Sequence, residues 1–253
     1  MTVQPTSQAS ALGGRSVVIT RPAGTAASLV RLVRARGGVP LLLPGLSLRA
    51  AEDAAAARAA LDAALDGEVL VFASPAAVRF AAALRPLRTA ATVLAVGQGT
   101  ARALRRHGLA AVSPSRQDSE GLLALPALHA PRGRRVALVG APGGRGLLRA
   151  ALAARGARLC EAHVYRRVPA RLDGRHVDAV LRLSPDACVL LSSAEALANL
   201  RAGLPPAAWT RLCDGVAVAS SERLAGVARA AGFARVRVAA SARPADLLDG
   251  AAG

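Results

Sequence analysis

Short runs of Val, Leu and Ile recur along the chain, and each ends in Ser, Thr or Gly before an Ala/Leu/Arg-rich segment begins. Apolar residues in these second segments are spaced three or four apart, as in an amphipathic helix, and a glycine usually closes them. The alternation predicts βα units and therefore an α/β protein with parallel sheets. The clearest units begin at Ser16, Val69, Val93, Val136, Cys188 and Val216.

The first three units match the last three at a nearly constant separation. Three pairs of positions 119 residues apart carry this match: Val17 and Val136, Gly37 and Gly156, and Ser74 and Ser193. We therefore predict two similar halves, from Ser16 to about Ser115 and from Arg135 to about Ser241. The third unit of the second half slips by a few residues, which a small loop insertion would explain. Chance agreement is the alternative, because Ala- and Val-rich segments match one another easily.

The composition narrows the fold class further. Of the 253 residues, 53% are hydrophobic but only 2% are aromatic, so the cores must be built from Ala, Val and Leu. Such cores are expected where helices pack on a Val/Leu-rich parallel sheet, and this favours an α/β fold over a β-sandwich. The length suits one large domain or two small ones, and the repeat favours two.

The net charge of +17 is typical of a protein with a polyanionic partner, which can be nucleic acid, a membrane surface or a small polycarboxylate. All 33 basic residues are arginine. Together with the many alanines, this also fits a coding bias that raises the arginine content everywhere. The sign of the charge is therefore more informative than its size.

The cysteines and histidines indicate neither a metal site nor a disulfide framework. Cys160, Cys188 and Cys213 are odd in number and far apart, and the four histidines lack the close pairing of a zinc site. We therefore expect no metal and a reducing compartment.

Residues 1–14 lack the features of a signal peptide and are predicted to form a disordered tail. Apolar stretches are interrupted before membrane-spanning length, so we expect a cytoplasmic protein.

Candidate binding residues lie where the predicted strands end. In open α/β sheets, ligands bind beyond the carboxyl ends of the strands, where helix N-termini present free N–H groups. Hydroxyl, glycine and arginine side chains at these ends suit the binding of carboxylates. The alternative is that each Ser or Thr only caps its helix. The residues concerned include Arg21, Ser74, Thr100, Ser192 and Ser193.

Two other features suggest chemistry. The glycine-rich run Gly140–Gly146 invites a nucleotide-binding interpretation, with Glu161 as the ribose-binding acid, but it has neither a phosphate-loop GK[ST] nor the G-x-G-x-x-G spacing.

Tyr165 is the only tyrosine and stands beside Arg166 and Arg167. Because a tyrosine hydroxyl is protonated at neutral pH, Tyr165 can donate a proton to a leaving group. Packing is the alternative role for its ring.

Seven segments, in this order, resemble the uroporphyrinogen-III synthase family. They are V-V-I-T-R-P at 17–22, V-F-A-S-P-A-A-V at 71–78, A-V-G-Q-G-T-A at 95–101, S-E-G-L-L at 119–123, V-Y-R-R-V-P at 164–169, L-L-S-S-A-E-A-L-A-N-L at 190–200 and S-E-R-L-A at 221–225. The resemblance covers nearly the whole chain. It implies a cofactor-free cytoplasmic lyase that closes linear hydroxymethylbilane into uroporphyrinogen III, inverting the last pyrrole ring and releasing water.

The resemblance also implies the domain organisation. Two parallel-sheet α/β domains with flavodoxin-like halves would be joined by a two-stranded connector, and the chain would leave the first domain early and return to it late. Residues 15–44 and 169–253 then form the discontinuous first domain, and residues 49–162 the second. Residues 45–48 and 163–168 are the connector strands. The two halves of the sequence would therefore not be the two domains in space.

Functional residues are carried over position by position. The family's tyrosine falls on Tyr165, which would assist loss of the hydroxyl as an acid, and its cleft threonine falls on Thr100. The side chains that would hold the acetate and propionate groups are Arg21, Ser74, Thr100, Ser119, Ser192 and Ser193. Three positions depart from residues that are usual in the family: Ala73 and Ser192 replace threonine, and Ala76 replaces asparagine.

The implied partner is hydroxymethylbilane, a small polycarboxylate, with a transient hand-over from hydroxymethylbilane synthase. We expect a monomer that binds neither a membrane nor nucleic acid. Two alternatives stay open on the residues alone: a basic nucleic-acid-binding regulatory module, and a nucleotide-dependent α/β enzyme that uses Gly140–Gly146.

Overall fold

The structure, a computed structural model, describes residues 11–144 and 146–253. Its strands are β1 (Ser16–Ile19), β2 (Val39–Leu42), β3 (Leu46–Ala50), β4 (Val69–Phe72), β5 (Thr92–Ala95), β6 (Arg135–Gly140), β7 (Arg158–His163), β8 (Tyr165–Pro169), β9 (Cys188–Leu191), β10 (Val216–Ala219) and β11 (Arg235–Val238). Its helices are α1 (Ala27–Ala35), α2 (Ala54–Leu65), α3 (Pro75–Leu84), α4 (Gln98–Arg105), α5 (Ser119–Leu123), α6 (Gly146–Ala154), α7 (Gly174–Leu181), α8 (Ala194–Gly203), α9 (Pro206–Cys213), α10 (Glu222–Ala230) and α11 (Pro244–Ala252), with a 3₁₀ turn at Pro126–Leu128.

The chain divides into two compact units. Unit 1 takes the residues up to Ser47 and those from Val168 onward, and unit 2 takes Leu48–Arg167. Both unit boundaries fall within the strands β3 and β8, which pair with each other as a separate two-stranded sheet. The chain therefore passes from one unit to the other along this strand pair.

Unit 1 is built on a parallel sheet with the strand order β11-β10-β9-β1-β2. Every residue of β9 and β10 is buried, which explains their unbroken runs of apolar residues. Helices cover both faces, with Leu200 and Phe233 in one core and Leu29 and Leu247 in the other. The order is that of a flavodoxin-like sheet, whose switch point here lies between β1 and β9.

Unit 2 has a parallel sheet with the strand order β5-β4-β6-β7. Its two faces are also covered by helices, with Leu61 and Phe72 in one core and Leu128 and Leu152 in the other. The switch point lies between β4 and β6, because the chain runs from β4 to β5 toward one edge of the sheet and from β6 to β7 toward the other. The predicted α/β class with two parallel sheets is thus confirmed.

The predicted internal repeat is confirmed in detail. The strands β1 and β6, the helices α1 and α6, and the helices α3 and α8 each begin at positions 119 residues apart. The two halves exchange their first βαβ segments: β1 pairs with β9 of the second half, and β6 pairs with β4 of the first half. The later slip in register comes from the helix α9, which stands where the first half has only a short loop, and not from a loop insertion.

The start of the chain differs in part from the prediction. Residues 1–10 of the predicted disordered tail lie outside the described residues. Residues 11–14 instead form a turn in which Leu12 is only 1% exposed and its backbone N–H donates to the carbonyl of Arg36. The apolar side chain of Leu12 explains this placement, because it packs into the α1 face of the unit 1 core. Within the described residues, no helix is both long and apolar enough to cross a membrane.

Candidate active site

Tyr165 is the first residue of β8 and lies at the carboxyl edge of the unit 2 sheet. The chain is held there because the backbone N–H of Val164 donates to the carbonyl of Gly140, the last residue of β6. The Tyr165 hydroxyl lies 3.3 Å from Ser74 Oγ. Its ring stacks on Phe80, with 5.2 Å between ring centroids and an interplanar angle of 13°. Tyr165 is 8% exposed, so its environment is mostly protein.

Ser74 follows β4 and caps the helix α3. Its Oγ accepts a hydrogen bond of 3.1 Å from the backbone N–H of Ala77, and Pro75 occupies the first helical position, where no N–H is needed. The capping role, the alternative to ligand binding, is therefore confirmed for Ser74. A serine hydroxyl carries one proton and two lone pairs, so after capping it still has a proton for Tyr165 or a lone pair for the Tyr165 proton.

Thr100 lies in the first turn of α4, behind the N-cap Gly97. The backbone N–H of Gln98, at the start of the same helix, donates to the side-chain oxygen of Gln117 at 3.1 Å. Thr100 is only 1% exposed, so a ligand would reach its hydroxyl only if the start of α4 moved. The structure thus places Thr100 at the predicted edge of the sheet but inside the protein.

Ser119 is the first residue of α5. The preceding Asp118 caps this helix by accepting from the backbone N–H of Gly121 at 2.8 Å, and Arg116 pairs with Asp118 and Glu120. Partial burial opposes ionisation of Asp118. The hydrogen bond from Gly121 and the Arg116 guanidinium outweigh this effect and hold the pKa of the carboxyl below its ordinary value. Ser119 therefore stands beside a local ion-paired cluster at a helix start.

The other predicted binding residues lie in unit 1, at the switch point between β1 and β9. Ser192 and Ser193 follow β9, and Ser193 caps α8 by accepting from the backbone N–H of Ala196 at 3.2 Å. Arg21 follows β1, and its guanidinium donates to the carbonyl of Ala242. Burial lowers the pKa of Arg21, which still carries its charge at neutral pH. Arg21, Ser192 and Ser193 thus follow two adjacent strands of unit 1, and the other predicted residues belong to unit 2.

Thr20, which precedes Arg21, is a structural hydroxyl. It is buried, and its Oγ1 donates to the carbonyl of Leu190 at 2.7 Å. This bond joins the carboxyl ends of β1 and β9 across the switch point. Thr20 therefore holds together the two strand ends that carry Arg21 and Ser192.

The glycine-rich loop after β6 holds an arginine side chain. The guanidinium of Arg167 donates to the carbonyl of Pro142 at 3.0 Å, and the turn is made by Gly143, whose φ of 70° favours glycine. Glu161, the candidate ribose-binding acid, is ion-paired with Arg149 at 3.6 Å and lies 3.7 Å from His163. These contacts leave the features of a nucleotide site occupied by protein groups. Arg145 lies outside the described residues.

Cys213 is unsuited to act as a nucleophile. Burial, aided by Asp214, raises the pKa of the Cys213 thiol to about 11, so it is not a thiolate at neutral pH. No group of three or more His, Cys, Asp or Glu side chains in the described part of the chain is arranged to hold a metal ion. Trp209 packs against the unit 1 core, where it contacts Phe233 edge to face with 6.1 Å between centroids.

Phe80 and Asn199 are contacts that the sequence analysis missed. Phe80 lies under the Tyr165 ring, and Asn199 Nδ2 donates to the carbonyl of Gly45 at 3.1 Å. The sequence could have indicated Phe80. The chain has only three phenylalanines and one tyrosine, so an aromatic residue six positions after a capping serine is unusual. No sequence pattern could have indicated the contact of Asn199, because its partner is a backbone atom 154 positions away.

Comparison with known proteins agrees with the resemblance in the motifs. The family model described as uroporphyrinogen-III synthase HemD matches residues 27–249. The chain belongs to the uroporphyrinogen-III synthase family. Two curated members are similar to it over 90% of this chain and 96% of their own length: the uroporphyrinogen-III synthases of Salmonella typhimurium, 31% identical, and of Escherichia coli, 30% identical. Membership in this family makes the chain an enzyme of tetrapyrrole biosynthesis, a cyclising lyase.

Solved structures of the family share the fold. A mutant uroporphyrinogen III synthase from the extremely thermophilic bacterium Thermus thermophilus matches with a TM-score of 0.58 and 24% identity, over 93% of this chain and 96% of that one. The uroporphyrinogen-III synthetase from Helicobacter pylori matches with a TM-score of 0.61 and 13% identity, over 93% and 97%. At these identities the likeness supports the architecture, and the site residues have to be argued from this chain's own geometry.

Proposed function

We propose that this enzyme closes hydroxymethylbilane to uroporphyrinogen III, with inversion of the last pyrrole ring and loss of water, and that Tyr165 is its proton donor. Family membership supports the reaction. The observation that carries the role of Tyr165 is its position: its hydroxyl lies at the carboxyl edge of the unit 2 sheet, 3.3 Å from Ser74 Oγ. Ligands bind at that edge in open α/β sheets.

In the proposed step, the Tyr165 hydroxyl gives its proton to the hydroxymethyl oxygen of the substrate. The carbon–oxygen bond then breaks and water leaves, and the cation left on carbon is delocalised onto the neighbouring pyrrole nitrogen. Closure forms a bond from this carbon to the α carbon of the last pyrrole ring that already carries the bridge from the ring before it, which gives a spiro intermediate. The old bridge bond then breaks and re-forms at the other α carbon of the last ring, so that the ring is inverted, and that carbon gives up the proton that restores the Tyr165 hydroxyl. Ser74 stabilises the phenolate in between by donating to its oxygen.

The carboxylate groups of the substrate need several cationic or N–H donors. We assign this task to the groups at the strand ends of the two units, because helix N-termini and arginine both favour anions. Arg21 supplies a guanidinium, and Ser193 supplies a hydroxyl that still has a proton to give after it caps α8. The residues proposed to hold carboxylates are Arg21, Ser119, Ser192 and Ser193. Ser74 keeps its one proton for Tyr165, and Thr100 would join the group only if the start of α4 moved.

We further propose that the enzyme works without a cofactor or metal, in the cytoplasm, as a monomer. Its substrate would be received transiently from hydroxymethylbilane synthase. The excess of arginine suits a partner with many carboxylates, and positive charge around a site raises the rate of encounter with an anionic ligand.

A product-isomer assay tests the proposed reaction. Hydroxymethylbilane is generated enzymatically in the presence of the protein, and the porphyrinogens formed are oxidised and separated by isomer. The proposal predicts mostly the type III isomer, whereas uncatalysed closure gives type I. Product consisting only of type I, with folded protein present, would contradict it.

A further inference from the structure

We infer that Phe80 is a positioning residue for Tyr165, and that it sets the turnover rate through the placement of the Tyr165 hydroxyl. The inference rests on the proposed function, because it assumes that Tyr165 donates the proton. Its structural basis is the stack of the two rings, with 5.2 Å between centroids and nearly parallel planes. Offset stacking at this distance is attractive and limits rotation of both rings.

One helix contacts Tyr165 at two points. Ser74 caps α3 and lies 3.3 Å from the Tyr165 hydroxyl, and Phe80, six residues further along the same helix, contacts the Tyr165 ring. Because both contacts come from one rigid element, they fix the position and the direction of the hydroxyl together. Losing the ring contact would leave the hydroxyl positioned by the hydrogen bond to Ser74 and by the remaining packing of Tyr165 in the unit 2 core.

The repeat shows that the fold does not require this aromatic pair. At the matching positions, 119 residues away, unit 1 has Leu46 in place of Tyr165 and Asn199 in place of Phe80. Unit 1 nevertheless forms an equivalent strand and an equivalent capped helix, α8. The stack is therefore an addition to the repeat in unit 2, and it coincides with the one tyrosine of the chain.

Phe80 also has a neighbour that keeps its ring in place. The guanidinium carbon of Arg79 lies 4.8 Å from the Phe80 centroid, a distance at which a cation is attracted to the ring. Phe80 is only partly buried, so hydrophobic packing alone does not hold it as tightly as a core residue. Stacking on Tyr165 and the contact with Arg79 together define its orientation.

The activity test uses Phe80→Leu, with Phe80→Tyr as the conservative variant. Misplacing a catalytic group by a fraction of an ångström costs turnover more than binding, so Phe80→Leu should lower kcat by about tenfold and change KM by less than about twofold. Phe80→Tyr keeps the ring and should restore most of the rate. Phe233→Leu is the matched control: it removes a ring from the unit 1 core, and it should lower stability but not kcat.

A double-mutant cycle separates positioning from a general effect. If Phe80 acts through the Tyr165 hydroxyl, Phe80→Leu should have no further effect on kcat in a Tyr165→Phe protein. The same loss in both backgrounds would overturn the inference, as would an unchanged kcat for Phe80→Leu in the wild-type background. Wild-type protein that yields only type I product would instead overturn the proposed function.

A spectroscopic readout tests the placement itself, independently of turnover. Since Tyr165 is the only tyrosine, growth on 3-fluorotyrosine introduces a single fluorine label. The inference predicts that Phe80→Leu shifts and sharpens the fluorine resonance, because the ring gains freedom, while Phe233→Leu leaves it unchanged. A resonance that is the same in wild type and in Phe80→Leu would overturn it.

Discussion

The helices α3 and α8 occupy equivalent places in the two units but serve their neighbours differently. Each begins at a capping serine, Ser74 or Ser193, whose Oγ accepts from the backbone N–H three residues later. Six residues further on, α8 carries Asn199, which binds the backbone carbonyl of Gly45. At the same place, α3 carries Phe80, which holds the side chain of Tyr165.

The difference shows how a repeat can divide its tasks. In unit 1 the segment before β3 lies close to α8, and a Cβ on Gly45 would lie 2.2 Å from the carbonyl oxygen of Ala196. The helix α8 therefore holds the backbone of the segment around Gly45 in place. In unit 2 the residue matching Gly45 is Val164, and the helix instead supports a side chain with a reactive hydroxyl. Under the proposed role of Tyr165, α8 of unit 1 binds backbone, and α3 of unit 2 supports the side chain that carries the chemistry.

The largest effect should come from removing the Tyr165 hydroxyl. Tyr165→Phe keeps the ring and its stack but removes the hydrogen bond to Ser74, so the free energy of unfolding should fall by no more than about 1 kcal/mol. Loss of a general acid should lower kcat by roughly 10²–10⁴-fold. Steady-state rates with isomer analysis measure this effect. A kcat within about twofold of wild type would remove Tyr165 as the acid.

In unit 1, Gly45→Ala should affect stability instead. The added methyl group would meet the Ala196 carbonyl, so α8 must move, and overpacking of this kind costs about 1–3 kcal/mol. Urea unfolding gives the change in the free energy of unfolding. Gly226→Ala is the control: this glycine lies inside α10 with open space around its Cα, so alanine should stabilise the helix by about 0.5–1 kcal/mol. Equal effects of the two substitutions would refute the anchoring role.

Asn199→Ala should have a smaller effect of the same kind. It removes one hydrogen bond to the Gly45 carbonyl and should lower the free energy of unfolding by about 1 kcal/mol, with kcat unchanged. Arg201→Ala, an exposed substitution on the same helix, should change stability by less than about 0.5 kcal/mol. A fall in kcat for Asn199→Ala at unchanged stability would contradict the division of tasks.

The smallest effect concerns charge. Between Glu68 and Asp118 the chain has no acidic residue, and Arg102, Arg105 and Arg106 are exposed around the end of α4 in this stretch. If this charge attracts the substrate, raising the ionic strength from about 0.05 to about 0.5 M should lower kcat/KM several-fold and leave kcat nearly unchanged. A kcat/KM independent of salt would show that the arginines there are only solvated.

The sequence predicted most of the framework, for physical reasons. Apolar periodicity and strand-end Ser, Thr and Gly are local signals, so the βα units and the repeat were visible. The exchange of the first βαβ segments could be predicted only from the family resemblance, because it depends on which strands pair with each other. The sequence predicts a loop insertion where the structure has the helix α9, because a single Pro-bounded segment carries little helical signal.

The candidate site was predicted less completely. Local motifs identified Tyr165 and Ser74 separately, but nothing local indicates that two hydroxyls 91 positions apart lie 3.3 Å from each other. Phe80 and Asn199 act through one long-range contact each, which no periodicity records. The burial of Thr100 likewise depends on how the loop carrying Gln117 covers the start of α4.

The most direct test measures kcat and the free energy of unfolding for Tyr165→Phe and Asn199→Ala in parallel. The division of tasks predicts that the two variants differ in kcat. Tyr165→Phe should lose at least about a hundredfold in kcat with a stability loss of no more than about 1 kcal/mol, and Asn199→Ala should lose about 1 kcal/mol of stability at wild-type kcat. A Tyr165→Phe protein that turns over as fast as Asn199→Ala would contradict the assignment of the chemistry to unit 2.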